Sequence, residues 1–243
     1  MMTTLLAPAQ WAQNEFAFVQ LGDKRLTRRL VRIGAGLAQN PGGTLPQAFP
    51  AMKDLKAAYR FFNQSKVGPS AIQAAHRQQV QAGCREPGEY LLNEDTTELD
   101  YSSHPGCQDL GPIGNGHGRG LLLHSTLAVR VEGWDLAHRP EGIVLGLMDQ
   151  QCWQRSGPPK RGRESWKERI QRPRESQRWA ACLAWMESPP PASQWIYLAD
   201  READFYEPIH HCQRQGVDFI IRGYRNRRLA GSSEHLKDML GTL

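Results

Sequence analysis

Hydrophobic residues in the first third of the chain recur with the spacing of amphipathic α-helices. The clearest pattern follows Asp23, a suitable N-cap, and ends at Asn40-Pro41, where proline stops a helix. A single apolar stripe runs along this segment and consists of Leu26, Leu30, Ile33 and Leu37. The pattern therefore predicts a helix over about 23–39 with one buried face.

Two further helices are predicted in the same region. One covers about 52–63, and the other begins at Pro69, a favourable residue for the first helical turn. Their inward-facing residues would be Leu55, Tyr59 and Phe62 in the first and Ile72 and Val80 in the second. Short helices with short turns predict a small all-α domain at residues 1–85. A helix-turn-helix arrangement agrees with this pattern, although any three-helix bundle produces it too.

After residue 86 the pattern changes to apolar runs of strand length, with two helical stretches among them. Strands are predicted at about 90–97, 121–129, 143–148, 195–199 and 218–224, and helices at about 175–187 and 203–215. The segment 155–174 is basic and has no clear period. Three strands followed by alternating helices and strands predict an α/β architecture over residues 86–243. The same order is found in the ribonuclease-H-like fold.

Charge is divided unevenly between the two regions. Residues 1–85 hold 11 lysines and arginines against 3 acidic residues, a net charge of +8, whereas residues 86–243 hold 19 against 22, a net charge of −3. Five cations lie on the helix over 23–39, away from its apolar stripe: Lys24, Arg25, Arg28, Arg29 and Arg32. Backbone phosphates would relieve their mutual repulsion. The distribution favours a nucleic-acid partner, and a merely solvated helical face is the alternative that charge alone leaves open.

The composition also argues against several classes of protein. No run of about 18 apolar residues is present, so no membrane-spanning helix is predicted. The first residues lack the basic and apolar regions of a secretory signal. Five cysteines are scattered singly, which argues against a disulfide framework and a zinc site. We therefore expect a protein of the reducing cytoplasm.

Two aspartates stand out by their position. Asp95 and Asp200 each follow an apolar strand, so their carboxylates would collect at one edge of a sheet. There they could share divalent cations, because Mg²⁺ prefers hard oxygen ligands and often takes only one or two carboxylates plus substrate phosphate. The alternative is that each aspartate caps the turn or helix that follows it.

Several stretches resemble DDE transposases of bacterial insertion sequences, in particular the insertion-sequence-four (Tn-five-like) family. Two of them resemble signature stretches of the catalytic domain: Asn93-Glu94-Asp95-Thr96-Thr97 and Ala199-Asp200-Arg201-Glu202-Ala203-Asp204. Two others resemble the N-terminal DNA-binding domain: Leu21-Gly22-Asp23-Lys24-Arg25 and Ala58-Tyr59-Arg60-Phe61. The resemblance extends from about residue 11 to residue 228.

The resemblance implies a small all-α DNA-binding domain at 1–85 and a ribonuclease-H-like transposase domain at 86–243. It makes Asp95 and Asp200 the first two catalytic and metal-binding carboxylates, with Mg²⁺ as cofactor and Mn²⁺ as its substitute. The implied partners are double-stranded DNA at transposon ends and a second transposase protomer, at the bacterial nucleoid within the cytoplasm. The residues expected to contact DNA are Lys24, Arg25, Arg28, Arg29, Arg32 and Arg60.

The third carboxylate of the family is a glutamate on a later helix, within a Tyr-Arg-Glu-Lys constellation. Glu234 follows the last predicted strand too closely and lacks that pattern, so no third ligand is assigned. We therefore expect a catalytic domain that is incomplete, ending after its fifth strand, and a chain that does not cut DNA alone. Two alternatives stay open: a non-catalytic protein that binds transposon ends or competes with an active transposase, and a nuclease of the same fold.

Two further groups of residues are weaker candidates. Asp204 could be a metal ligand, but we expect it to order Arg201 or to cap the chain locally. A basic cluster follows the last predicted strand and consists of Arg222, Arg225, Arg227 and Arg228. These arginines could contact phosphates or could belong to a solvated loop.

Overall fold

The computed structural model describes residues 6–114, 117–155 and 175–241. Its contacts divide the chain into two compact units, Met1–Gln81 and Ala82–Leu243. Most of the basic stretch noted above, 156–174, lies outside the described residues.

The first unit is helical. Its helices are α1 (Pro8–Phe16), α2 (Lys24–Gln39), α3 (Leu45–Ala48), α4 (Met52–Phe62) and α5 (Pro69–Gly83), the last of which continues past residue 81. The predicted N-cap of α2 is present, because Asp23 accepts a hydrogen bond of 2.8 Å from the backbone N–H of Arg25. Helices α1 and α3 were not predicted from the apolar pattern, although a proline stands in the first turn of each.

One buried cluster forms the core of this unit. It contains Val19, Leu21, Leu30, Ile33, Ala58 and Phe61. The prediction for α4 was wrong in detail, since Tyr59 and Phe62 are about half exposed, whereas Ala58 and Phe61 face the core. Apolar residues cover a wide arc of this helix, so the packing around Leu30 and Ile33, rather than the helical period, decides which edge is buried.

The second unit contains a mixed sheet with short helices. Its elements are β1 (Gly88–Asp100), β2 (Gly111–Ile113), β3 (Gly118–Trp134), β4 (Pro140–Trp153), α6 (Ser176–Trp179), α7 (Ala181–Trp185), β5 (Ser193–Ala199), a 3₁₀ turn (Arg201–Ala203), α8 (Tyr206–Gln215), β6 (Asp218–Ile221) and α9 (Leu236–Leu240). Strands β1, β3 and β4 extend several residues beyond the predicted ranges, whereas β6 is shorter than predicted. The helix predicted over 175–187 is instead two segments, α6 and α7, whereas the helix predicted over 203–215 is a single helix that begins at Tyr206.

The sheet has β1 and β3 at its centre. Strand β1 pairs with β3 on one side and with β5 on the other, and β6 follows β5. Strands β2 and β4 both pair with the edge of β3 that faces away from β1. Among the described strands only β3 runs against the others. The three successive strands and the later alternation therefore form one sheet.

The two faces of the sheet have different surroundings. Along β1, Tyr90, Leu92 and Glu94 are buried, whereas Leu91 is half-buried and Asp95 is exposed. Successive side chains of a strand point to opposite faces, so burial with a period of two residues means that one face is covered and the other is open. The acidic residues 94 and 95 consequently point to opposite sides of the sheet.

Short helices cover the buried face. Trp179 of α6 packs edge-on against His124 of β3, with ring centroids 4.7 Å apart. Cys182 of α7 and Cys212 of α8 are buried in the same layer. Burial raises the pKa of the Cys212 thiol to about 12, so this thiol is protonated and apolar in character at neutral pH. Among the described helices none is long and apolar enough to cross a membrane.

Candidate functional site

The cations of α2 lie along the surface of the helical unit. Lys24, Arg25, Arg28 and Arg32 are exposed and Arg29 is half-buried. All five project from a helix of four turns, so they can follow a run of phosphates.

Two of these cations have carboxylate partners. Arg25 lies 2.9 Å from Asp23, and this hydrogen-bonded pair holds the pKa of the Asp23 carboxyl below its usual value. Arg29 lies 3.6 Å from Asp54 of α4. The sequence shows no acidic residue among the five cations, and the partner of Arg29 comes from a different helix. Lys24, Arg28 and Arg32 have no ion pair within the described part of the chain, so their charges are available to a ligand.

Arg60 lies on the exposed side of α4. Lys56 and Tyr59 are exposed on the same side, and 47 % of the Tyr59 surface remains accessible to solvent. An exposed aromatic ring near two exposed cations on one helix provides both stacking and charge, a combination suited to nucleic acid.

Asp95 and Asp200 lie on neighbouring strands at one level of the sheet. Asp200 directly follows β5, as predicted. The prediction that Asp95 follows its strand was wrong, because β3 keeps β1 paired as far as Asp100 and Asp95 therefore lies within β1. The parallel pairing of β1 and β5 ends with Glu94 opposite Ala199, so the next residues along the two strands are Asp95 and Asp200. Neighbouring strands lie about 5 Å apart, and residues in register point to the same side. Both aspartates are exposed. The two predicted residues therefore occupy adjacent positions on the open side of the sheet, at the point where β5 ends.

The partners of the two carboxylates differ. One oxygen of Asp200 accepts a hydrogen bond of 2.7 Å from the backbone N–H of Glu202 and thereby caps the 3₁₀ turn. The carboxylate of Asp95 has no hydrogen-bond partner within the described residues. On its other side Asp95 is in register with Ser125 of β3, whose hydroxyl accepts a 3.2 Å hydrogen bond from Gln150 of β4. A polar row thus crosses three strands of the open face, β1, β3 and β4.

The helices α1–α4 with their exposed cations agree with a known DNA-binding family. Residues 8–67 match the family model described as transposase DNA-binding. The match supports a transposase N-terminus, and with it DNA as a partner of this chain. It covers every residue that the sequence predicts to contact DNA, from Lys24 to Arg60. The chain is thus a helical region that matches a transposase DNA-binding domain, followed by a mixed-sheet domain.

The sheet domain that follows the transposase DNA-binding region offers few side chains that could bind a metal ion together. Carboxylate oxygens suit Mg²⁺, and Asp95 and Asp200 occupy adjacent positions on neighbouring strands. Within 6–114, 117–155 and 175–241, no group of three or more histidine, cysteine, aspartate or glutamate side chains could hold a metal ion. The donor chemistry fits a divalent cation held by two carboxylates, and the catalytic and metal-binding roles of these residues stay predictions.

A buried polar cluster lies on the opposite side of the sheet from Asp95. At its centre Glu94 accepts a 3.1 Å hydrogen bond from Thr126 of β3 and another from the hydroxyl of Tyr197 of β5. His124 Nε2 lies 3.0 Å from Glu94 Oε1, an ion-pair distance, without being aligned for a hydrogen bond. Thr96 Oγ1 lies 2.8 Å from His124 Nδ1. Burial and the neighbouring Glu94 raise the pKa of Tyr197 well above its usual value, so its hydroxyl stays protonated.

Asp204 has a different partner from the one predicted. Its carboxylate accepts hydrogen bonds from the backbone N–H groups of Tyr224 (2.7 Å) and Arg225 (2.8 Å) and pairs with the guanidinium of Arg227. Arg201 instead lies 5.9 Å above the ring of Tyr224. The prediction that Asp204 orders Arg201 was therefore wrong, because β6 brings a loop distant in sequence to Asp204. With both oxygens engaged, Asp204 is poorly suited to bind a metal.

The same loop divides the basic cluster after β6. Arg227 is engaged by Asp204, and Arg228 donates a 2.9 Å hydrogen bond to the carbonyl of Ser232. Arg222 and Arg225 are exposed. Half of this cluster therefore stabilises the loop, and the other half is available to a ligand.

Sequence reasoning missed Glu94 as an organising residue. A signal was present, because Glu94 continues the alternation Tyr90, Leu92 and so belongs to the buried face of β1. Nothing in the sequence identified Thr126 and Tyr197 as its partners, since they come from two other strands.

Proposed function

We propose that this chain is a DNA transposase of the DDE class, of the insertion-sequence-four (Tn-five-like) kind. Its helical unit would bind transposon ends, and its sheet domain would carry two of the metal-binding carboxylates. The observation that carries the DNA-binding part is the family match over residues 8–67. Three exposed cations of α2 (Lys24, Arg28 and Arg32) and the exposed Arg60 lie within that match and support it further.

The sheet supports a ribonuclease-H-like fold for the second unit. Three long strands, β1, β3 and β4, come first, with the short β2 between β1 and β3. Strand β3 is antiparallel to both its long neighbours, and β5 and β6 are added on the far side of β1. The sequence pattern suggested the ribonuclease-H-like fold from the same order of strands. The carboxyl end of β5, beside the middle of β1, is then the natural place for an active site.

Asp95 and Asp200 are the residues that would hold divalent ions. Such ions, when bound, activate a water molecule and stabilise the leaving oxygen of a phosphodiester. The contribution of the chain is to keep both carboxylates exposed and on one side of the sheet. Hydrogen bonding to Glu202 leaves Asp200 with one oxygen free for a metal.

We also propose that the chain by itself binds transposon ends without cutting them, which is the non-catalytic alternative. Two carboxylates and one scissile phosphate leave part of the charge of two Mg²⁺ ions uncompensated. One ion would also have too few protein ligands to be held within the roughly 0.5 Å that catalysis requires. A second protomer or further residues would have to complete the site.

The test combines binding and cleavage on duplex DNA that carries the terminal sequences flanking the gene. We expect a gel shift by the full chain and no nicking with Mg²⁺ or Mn²⁺. Nicking that requires the divalent ion and disappears in Asp95→Ala and Asp200→Ala would show that the site is complete and would overturn the non-cutting proposal. Absence of any duplex binding would overturn the transposase proposal itself.

A further inference from the structure

The buried cluster around Glu94 is unusual for a sheet interior. A carboxylate and an imidazole, both almost fully buried, lie between β1, β3 and β5. Removing charged groups from water is costly, and apolar residues of the same size would commonly be as good for stability. A cluster of this kind is better explained by a role in selecting one arrangement of the strands than by a contribution to stability.

The arrangement to be selected is the register of β1, because this strand carries two adjacent acidic residues that point to opposite faces. Because strand side chains alternate, a slip of β1 by one residue would exchange Glu94 and Asp95 between the two faces. In the slip that brings Asp95 to the position of Glu94, Asp95 would be buried, and Glu94 would stand on the open face at the position of Asn93, out of line with Asp200. Both neighbours of β1 present polar groups to position 94: Thr126 from β3 and Tyr197 from β5. An aspartate side chain is one methylene shorter and would not reach both.

We propose that Glu94, held by Thr126, Tyr197 and His124, is a register lock that keeps Asp95 on the open face beside Asp200. Thr96 and His124 repeat the link one pair further along β1, where the two residues are directly opposite each other. Glu94 is thus a positioning residue and touches neither metal nor DNA. The consequence for metal binding rests on the proposed function, whereas the geometric consequence does not.

The first measurement is geometric and uses the full chain. Asp95→Cys and Asp200→Cys are combined, and their linkage by a short bifunctional thiol reagent is quantified by peptide mass spectrometry, which separates it from reaction at the native Cys107 and Cys152. We expect efficient linkage with Glu94 present and a large loss with Glu94→Met, which keeps the volume but removes both acceptor oxygens. Glu94→Gln, which keeps one acceptor, should restore linkage.

The second measurement is Mn²⁺ binding by electron paramagnetic resonance, with the aspartates intact. Glu94→Met should weaken Mn²⁺ binding by about tenfold, the effect expected for residues that support metal ligands. Glu94→Gln should stay close to the parent. Leu92→Val is the matched control, because Leu92 is an apolar residue buried on the same face of β1, two residues away. It should change stability while leaving linkage and Mn²⁺ binding unaltered.

The outcomes separate the lock from the proposed function. Unchanged linkage in a folded Glu94→Met protein overturns the lock. If linkage depends on Glu94 but the protein does not bind Mn²⁺, the register lock is supported and the metal-binding role of the aspartates is overturned. If Glu94→Met does not fold, Tyr197→Phe combined with Thr126→Val removes the same two hydrogen bonds with smaller changes, and the same comparison decides.

Discussion

Three acidic residues, two within β1 and one shortly after β5, have three different environments. Asp95 is exposed and without a partner within the described residues, Glu94 is buried among donors from two strands, and Asp204 is saturated by a loop and an arginine. Under the proposals above, the same functional group would serve as a metal ligand at Asp95 and as a register lock at Glu94, whereas at Asp204 it clamps a loop. Burial and partners, rather than residue type, separate these roles.

The clamp at Asp204 leads to a prediction about pH. Burial would raise the pKa of Asp204, but the backbone N–H groups of Arg225 and Tyr224, together with Arg227, outweigh it and hold the pKa below its usual value. A lowered pKa means that the carboxylate stabilises the fold above the unfolded-state pKa. This stability is lost as the pH falls below about 4 and through the lowered value.

Asp204→Asn should therefore lower the unfolding free energy at pH 7 by about 2 kcal/mol, the range for hydrogen bonds to a charged group. The difference from the parent should shrink as the pH falls below about 4. Denaturant unfolding at several pH values measures both effects. Glu207→Gln, an exposed carboxylate on α8, is the control and should change little. A difference that is independent of pH would contradict the ionic role of Asp204.

At the scale of elements, α2 combines a core stripe with a row of cations. Leu30 and Ile33 are buried, and Lys24, Arg28 and Arg32 are exposed without ion pairs among the described residues. Since Arg25 and Arg29 already have carboxylate neighbours, they should contribute less to an external anion than the other three. The structure thus divides a set of cations that the sequence treats as equivalent.

We expect neutralising Lys24, Arg28 and Arg32 together to flatten the log–log dependence of duplex affinity on salt by about 3 units, because each cation that neutralises a phosphate adds close to one unit to the slope. Fluorescence anisotropy over a series of salt concentrations measures this slope. The control is the triple substitution of Arg130, Arg139 and Arg214 to glutamine in the sheet domain, which changes the net charge equally. If both triple variants alter the slope equally, the α2 face is not where the protein binds DNA.

At the scale of the whole molecule, the chain consists of two compact units. The helical unit has its own buried cluster of Val19, Leu21, Leu30, Ile33, Ala58 and Phe61, and α1 is tied to α5 by hydrogen bonds from Gln79 to the carbonyls of Asn14 and Glu15. A unit with its own core can fold by itself.

A fragment of residues 1–85, which retains all of α5, should therefore be helical and melt cooperatively. It should bind duplex DNA with nearly the same salt slope as the full chain. Circular dichroism and anisotropy provide the two measurements. A folded fragment whose slope is much flatter than that of the full chain would show that the sheet domain neutralises a large share of the phosphates.

Much of this organisation follows from the sequence alone. Helix α2 with its Asp23 cap, the change from helices to strands near residue 86, and the placement of Asp200 after an apolar strand depend on residues close together in the chain. The placement of Asp95 at a strand end was wrong, because pairing with β3 extends β1 to Asp100. Helical and strand periods, caps and turn residues are local properties, so a single sequence reveals them.

The tertiary structure decided which residues meet across the chain. In α4, Ala58 and Phe61 face the core instead of Tyr59 and Phe62. Asp204 pairs with Arg227 of a distant loop, and the buried cluster around Glu94 joins three strands. Each of these depends on strand register or helix packing between segments far apart in sequence. Such contacts are set by the fit of whole surfaces, and no local pattern encodes them.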